Sequence, residues 1–121
     1  VTNAERDAER CAFCWPPPEV PDFPHQARRG AFVVRPLRQE TPGHLLVVTG
    51  AHLRYLWELP AWELVQVTEL VRDVARWQVD HGAHGVNVLH ASGQAAGQSV
   101  LHAHWHVVPR LLNDGRDLWF R

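Results

Sequence analysis

Leu101-His102-Ala103-His104-Trp105-His106-Val107-Val108-Pro109 alternates imidazole with apolar side chains. An extended chain sends successive residues to opposite faces. His102, His104 and His106 then project to one side at intervals of about 6.5–7 Å, and Ala103, Trp105 and Val107 to the other. The stretch reads as a strand from Leu101 to Pro109 with one face for the core and one lined by histidine. A lone histidine in a strand is ordinarily an incidental polar residue. Three neighbouring imidazoles repel one another when protonated and are costly to bury unpaired, so the triplet points to chemistry. Such a ladder serves either as a catalytic metal site, or as a nucleophile at phosphorus flanked by donors to the phosphate oxygens.

The residues upstream favour phosphorus. Gly97 permits close backbone approach, Gln98 brings an amide N–H and Ser99 a hydroxyl, which together form a donor-rich turn suited to an anion. A zinc hydrolase needs a carboxylate nearby, and none occurs between Gly82 and Arg110. Further out, Val86-Asn87-Val88-Leu89 is β-prone. Ala31 to Arg35 and His44 to Thr49 read as neighbouring antiparallel strands, the second following the turn at Thr41-Pro42-Gly43. Leu64, Val67, Leu70, Val71, Val74 and Trp77 recur at helical spacing, with Pro60 in the first turn and Gly82 as the stop. Strands, helix, strands implies an α+β fold with a mainly antiparallel sheet. The prolines at 16, 17, 18, 21 and 24 exclude helix or central strand there and imply an extended loop; the last dozen residues read as loosely ordered.

A length of 121 residues suits one domain, and 45% apolar with 21% charged residues suits a globular one. A net charge of -1 argues against a dominant footprint for duplex nucleic acid. No apolar run is long enough for a membrane span, and the acidic Glu5, Asp7 and Glu9 do not read as a secretory leader; a cytoplasmic location is the expectation. The absence of lysine excludes Schiff-base and other lysine-dependent catalysis. Cys11 and Cys14, separated by two residues, read as metal-binding or redox-active before disulfide-bonded. Two sulfurs do not complete a zinc site, so two histidines from elsewhere would have to join them.

The stretch from Gly97 to Arg110 resembles the signature of the histidine triad (HIT) family, His-φ-His-φ-His-φ-φ, with its preceding phosphate loop. Pro42-Gly43-His44-Leu45-Leu46-Val47-Val48 is similar to the family's Pro-Gly-His strand, and the Cys spacing agrees. The resemblance covers residues 11–110 of a single domain spanning 1–121, with 111–121 as a tail. It implies a HIT-like fold: a five-stranded antiparallel sheet, one long helix and a short helix, assembled as a homodimer. It also implies a nucleotide ligand, expected to be a purine nucleotide. His104 would attack its α-phosphate to give a nucleotidyl-histidine, while His106, Gly97, Gln98 and Ser99 hold phosphate oxygens and His44 lies beside the ribose or phosphates. A neutral His104 needs an acceptor, such as a backbone carbonyl, at its other ring nitrogen. In zinc-bearing members the corresponding ligands are Cys11, Cys14, His52 and His102, a closed Cys2His2 set suited to a structural zinc.

The chain departs from the family pattern at Ala91, where Asn or Gln is usual; there a ligand is lost, or Ser92 or Gln94 substitutes. It departs again at Pro36, where Asp or Asn usually meets the ribose. His25, His81, His84 and His90 read as surface or loop residues. Hydrolysis of a phosphoramidate or dinucleoside polyphosphate is the leading expectation. Nucleotidyl transfer to phosphate, a non-catalytic nucleotide-binding module, and direct zinc hydrolysis are the alternatives.

Overall fold

The computed structural model describes residues 11–14, 27–28 and 30–119; the expected proline-rich loop and His25 lie outside them. Five strands are present: β1 (Ala27–Arg28), β2 (Ala31–Val34), β3 (Leu45–Thr49), β4 (Gly85–His90) and β5 (His104–Arg110). Helix α1 (Ala61–Asp80) separates β3 from β4. The sheet order is β1-β2-β3-β5-β4 and every pairing is antiparallel, as the resemblance implies. The short helical elements among the described residues are two 3-10 turns, Leu56–Glu58 and Gln94–Ala96.

Alternation along the strands gives the sheet two apolar faces. Val33, Leu45, Val47, Trp105 and Val107 meet Val67, Leu70 and Val74 of α1 in the main core. Burying each such aliphatic side chain contributes about 1.5–3 kcal/mol. Val34, Leu46 and Val48 form a second cluster on the opposite face, with Phe13 and Phe32 against it. The histidines share this second face, so the helix supports the strand from behind the chemistry.

Three expectations need correction. First, β5 begins at His104 and not at Leu101. The Ala103 N–H donates to the Leu53 carbonyl (2.6 Å) and the Ala103 carbonyl accepts from Thr49 N–H, which ties residues before His104 to the end of β3 and the segment after it. Second, Pro60 is the N-cap and α1 starts at Ala61. Its buried stripe is Glu63, Val67, Leu70, Val74 and Gln78, with Leu64 exposed. Both polar members bond to the backbone, Gln78 through Nε2 alone, its buried Oε1 having no partner among the described residues. Glu63 Oε1 accepts from Ala51 N–H (3.3 Å), while Gln78 Nε2 donates to the carbonyls of Gly43 (3.1 Å) and Val107 (2.9 Å). Third, the segment after β5 is turned back and held. Arg110 donates to both Asp114 carboxylate oxygens (2.8 and 2.9 Å), and that carboxylate also accepts from Leu111 and Arg116 N–H, which holds its pKa well below the ordinary range.

Arg28 pairs with Glu69 and Asp73, fastening β1 to α1. Gly30, between β1 and β2, has φ +87°, and a Cβ there would lie 2.8 Å from the Trp62 ring, so both its backbone and its neighbour require glycine. No helix among the described residues is long and apolar enough to cross a membrane.

Candidate active site and metal centre

Cys11 and Cys14 flank a turn closed by Cys14 N–H to the Cys11 carbonyl (3.3 Å), which points both sulfurs the same way. Cys14 Sγ lies 3.0 Å from His52 Nδ1, and both sulfurs lie 3.4 Å from His102 Nδ1. One donor atom from each of the four residues falls within 4.8 Å of the others. The set fits a metal ion by chemistry as well as distance. His102 Nε2–H donates to the Thr49 carbonyl (2.7 Å), leaving the Nδ1 lone pair directed at the sulfurs, the usual second-shell arrangement of a ligating imidazole. Burial, followed by repulsion from His52 and His104, pushes the His102 pKa down to about 4, so the ring is neutral at pH 7. Burial and the adjacent Cys11 push the Cys14 thiol up to about 12, a cost that a cation between the sulfurs reverses.

Two residues along the chain, His104 is 4% exposed, and burial lowers its pKa. Its Nδ1–H donates to the His102 carbonyl (2.8 Å). That bond assigns the tautomer: Nε2 carries the lone pair. The carbonyl acceptor expected from the sequence is therefore present, supplied by the preceding histidine of the ladder. The edge of Phe13, from the cysteine turn, packs on His104 with ring centroids 5.3 Å apart and on His102 at 5.9 Å. Nothing in the local sequence marked Phe13; only the closeness of the two cysteines to the ladder brings it there.

The third histidine is oriented through His44. Glu40 N–H donates to His44 Nδ1 (3.0 Å), so the His44 proton is on Nε2, and Nε2–H donates to His106 Nδ1 (3.0 Å). His106 Nδ1 is thus an acceptor, and the His106 proton is on Nε2, available to an oxygen of a ligand. Burial, then repulsion from His104 and His44, brings the His106 pKa down to about 4. His44, expected beside the ribose or phosphates, is 1% exposed with both nitrogens occupied, by Glu40 N–H and by His106, which places its ring behind His106.

The loop before the ladder is built on two left-handed glycines, Gly93 (φ +96°) and Gly97 (φ +91°), flanking the Gln94–Ala96 turn. Gln98 is buried within it. Its Oε1 accepts from Gly93 N–H (2.7 Å), its Nε2 donates to Arg54 and Val100 carbonyls (2.7 and 3.0 Å), and its backbone N–H donates to Gly93. The Gln98 side chain, expected to donate to phosphate, braces the loop through these three bonds. Ser99 is exposed and Gly97 lies at the surface beside it. Ser92 does not stand in for the missing amide at Ala91, since its hydroxyl accepts from Leu56 N–H (2.9 Å) and meets His90 Nε2 (2.6 Å). Gln94 and Arg35 are exposed and Pro36 partly so. His81 and His84 are exposed as expected, but His90 is partly buried and bonded through both nitrogens.

Comparison with known proteins agrees with this geometry. The HIT domain family model matches residues 19–112. An uncharacterized HIT-like protein of Methanocaldococcus jannaschii is 35% identical over 78 residues, 64% of this chain and 60% of that protein. A bis(5'-adenosyl)-triphosphatase of Saccharomyces cerevisiae is 33% identical over 87 residues, 68% of this chain and 41% of that protein. The match therefore spans less than two thirds of either relative's length. A zinc-bound histidine triad family protein from Mycobacterium smegmatis superposes with a TM-score of 0.70 at 31% identity, over 78% of this chain and 68% of that one. With the family model covering most of its length, and the three histidines on one face of the expected sheet, the chain belongs to the HIT domain family.

Proposed function

We propose that the protein is a nucleotide hydrolase, cleaving the α-phosphate bond of a nucleoside phosphoramidate, dinucleoside polyphosphate or related compound. One observation carries this reading: the bond from His104 Nδ1–H to the His102 carbonyl, which leaves a neutral Nε2 lone pair as a nucleophile at pH 7. In the first step Nε2 forms a bond to the α-phosphorus and the leaving group departs with the bonding electron pair. In the second, water attacks the nucleotidyl-histidine and releases the nucleoside monophosphate, restoring the ring. His106 Nε2–H, the Ser99 hydroxyl and the backbone at Gly97 donate to or admit the phosphate oxygens; Gln98 holds the loop in which two of them sit. The yeast relative's name supports an adenine nucleotide as the ligand.

Cys11, Cys14, His52 and His102 would hold a zinc ion. Bound by four protein ligands, it supplies structure and no activated water, joining the cysteine turn to the ladder. The protein would work as a homodimer, for which β4 offers an edge strand carrying the exposed Val88.

The test is release of AMP from adenosine phosphoramidate and from diadenosine triphosphate by purified protein, with His104→Ala alongside. Loss of release in the variant is expected. An unchanged rate would remove His104 from the mechanism.

A further inference from the structure

His90 occupies the last paired position of β4, directly opposite Trp105 of β5. Opposed residues share a face, so His90 stands with Trp105 on the helix side of the sheet, while His104 faces the other way. Its ring stacks on Trp105 with centroids 4.3 Å apart and planes 21° from parallel. Stacking leaves the two ring nitrogens free in the plane, and both are used. Nδ1 lies 2.9 Å from the His104 carbonyl; since a carbonyl only accepts, Nδ1 carries the proton. Nε2 then accepts from the Ser92 hydroxyl (2.6 Å), whose oxygen accepts from Leu56 N–H (2.9 Å).

We infer that His90 is a positioning residue for His104, gripping the backbone of the nucleophile from the far face of the sheet. This rests on the reading of His104 given above. The β4–β5 pairing ends at His90, just where the nucleophile's own peptide begins, and the His90 ring extends the hold by one bond. His104 reaches back to the His102 carbonyl through Nδ1–H, a contact that depends on where the His104 backbone lies. Four bonds thus form one chain, from the Leu56 peptide through Ser92, His90 and His104 to the His102 carbonyl. Its far end anchors the segment whose Leu53 and Arg54 carbonyls brace Ala103 and Gln98, so the nucleophile and its phosphate loop share one support.

The experiment uses the full chain, His90→Phe and His90→Asn, read by 15N-histidine NMR without substrate and by AMP release from adenosine phosphoramidate. Phe keeps the stack on Trp105 and removes the donor; Asn restores an N–H near the Nδ1 position. In the wild type, His104 is expected as a single Nδ1–H tautomer. In His90→Phe its signals should move to a tautomer mixture and kcat fall about tenfold, with KM changed by less than about twofold. His90→Asn should recover kcat to within about threefold of wild type. The inference is overturned if folded His90→Phe keeps the single His104 tautomer and the wild-type kcat, or if Phe and Asn are equally impaired, as a packing role alone requires. Should the wild type release no AMP from any nucleotide, the hydrolase reading fails, while the NMR comparison still decides whether His90 holds His104.

Discussion

His44 Nε2 donates to His106 Nδ1 across 3.0 Å, and the Glu40 N–H at His44 Nδ1 dictates the direction of that bond. Reversal would need the His44 proton to leave Nε2 for Nδ1, where it would face the Glu40 N–H, and the peptide N–H cannot accept. A buried residue thereby fixes which nitrogen of its partner faces the ligand. Replacing His44 by Phe keeps an aromatic ring but frees His106 to take either tautomer. A kcat about tenfold lower with KM nearly unchanged is expected, less than the roughly 10²–10⁴-fold of a full acid–base residue. Steady-state kinetics on adenosine phosphoramidate checks this; an undiminished kcat would show that the His44 bond does not orient His106.

Proton release should mark metal binding. Cys14, pushed up to about 12 by burial and by Cys11, is protonated in the metal-free chain at pH 7, while His102, at about 4, is already neutral. Zinc binding must expel the Cys14 proton and takes none from His102. Calorimetric titration of zinc into the metal-free protein, in buffers of different ionisation heats, should report at least about one proton released per ion. Binding without release would mean that Cys14 stays a thiol and is not a ligand.

How far the site was legible follows from the range of each contact. The period-two pattern from His102 to Val107 placed the histidines on one face and Ala103, Trp105 and Val107 in the core, because strand geometry acts between neighbours. The metal set, with Cys11 and His102 ninety-one positions apart, was read only through family resemblance. His90 reads from sequence as a surface or loop residue because its partners, the His104 carbonyl and the Ser92 hydroxyl, are settled by strand register and loop closure, and register is invisible in composition. The loop bonds of the Gln98 side chain are hidden from sequence for the same reason. An amide in a glycine-rich loop looks like a ligand donor until the loop carbonyls that claim it are known.

Acid should destabilise the protein through His106. Its folded pKa lies at about 4, below the ordinary value of 6.5, so between these values the unfolded chain binds more protons. The stability attached to this group is complete above pH 6.5 and is lost as the pH falls towards 4, with no further loss from it below. His44 and His104 are shifted the same way by burial and add to the slope. Thermal midpoints measured from pH 7 to pH 4 should fall less steeply for His106→Gln than for the wild type. Parallel curves would contradict the shift assigned to His106.

Gln78 is the residue through which the helix reports on the ladder. From a position 3% exposed near the end of α1, its Nε2 serves two backbone carbonyls, Gly43 just before His44 and Val107 just after His106. Both carbonyls flank the histidine pair whose bond sets the donor at the site. Methionine matches the length and much of the volume of glutamine but donates nothing, so Gln78→Met strands these acceptors without opening a large cavity. Loss of two bonds, one to the buried Val107 carbonyl and one to the part-buried Gly43 carbonyl, costs about 2–4 kcal/mol. At this chain length that is about 5–15 °C in the thermal midpoint. Urea unfolding should show a lower midpoint at unchanged slope, the mark of a weakened native state. Because the lost donor sits between Gly43 and Val107, the His44–His106 bond should loosen as well, and kcat should fall by more than KM changes. A Gln78→Met protein as stable as the wild type would mean that these carbonyls do not depend on the helix.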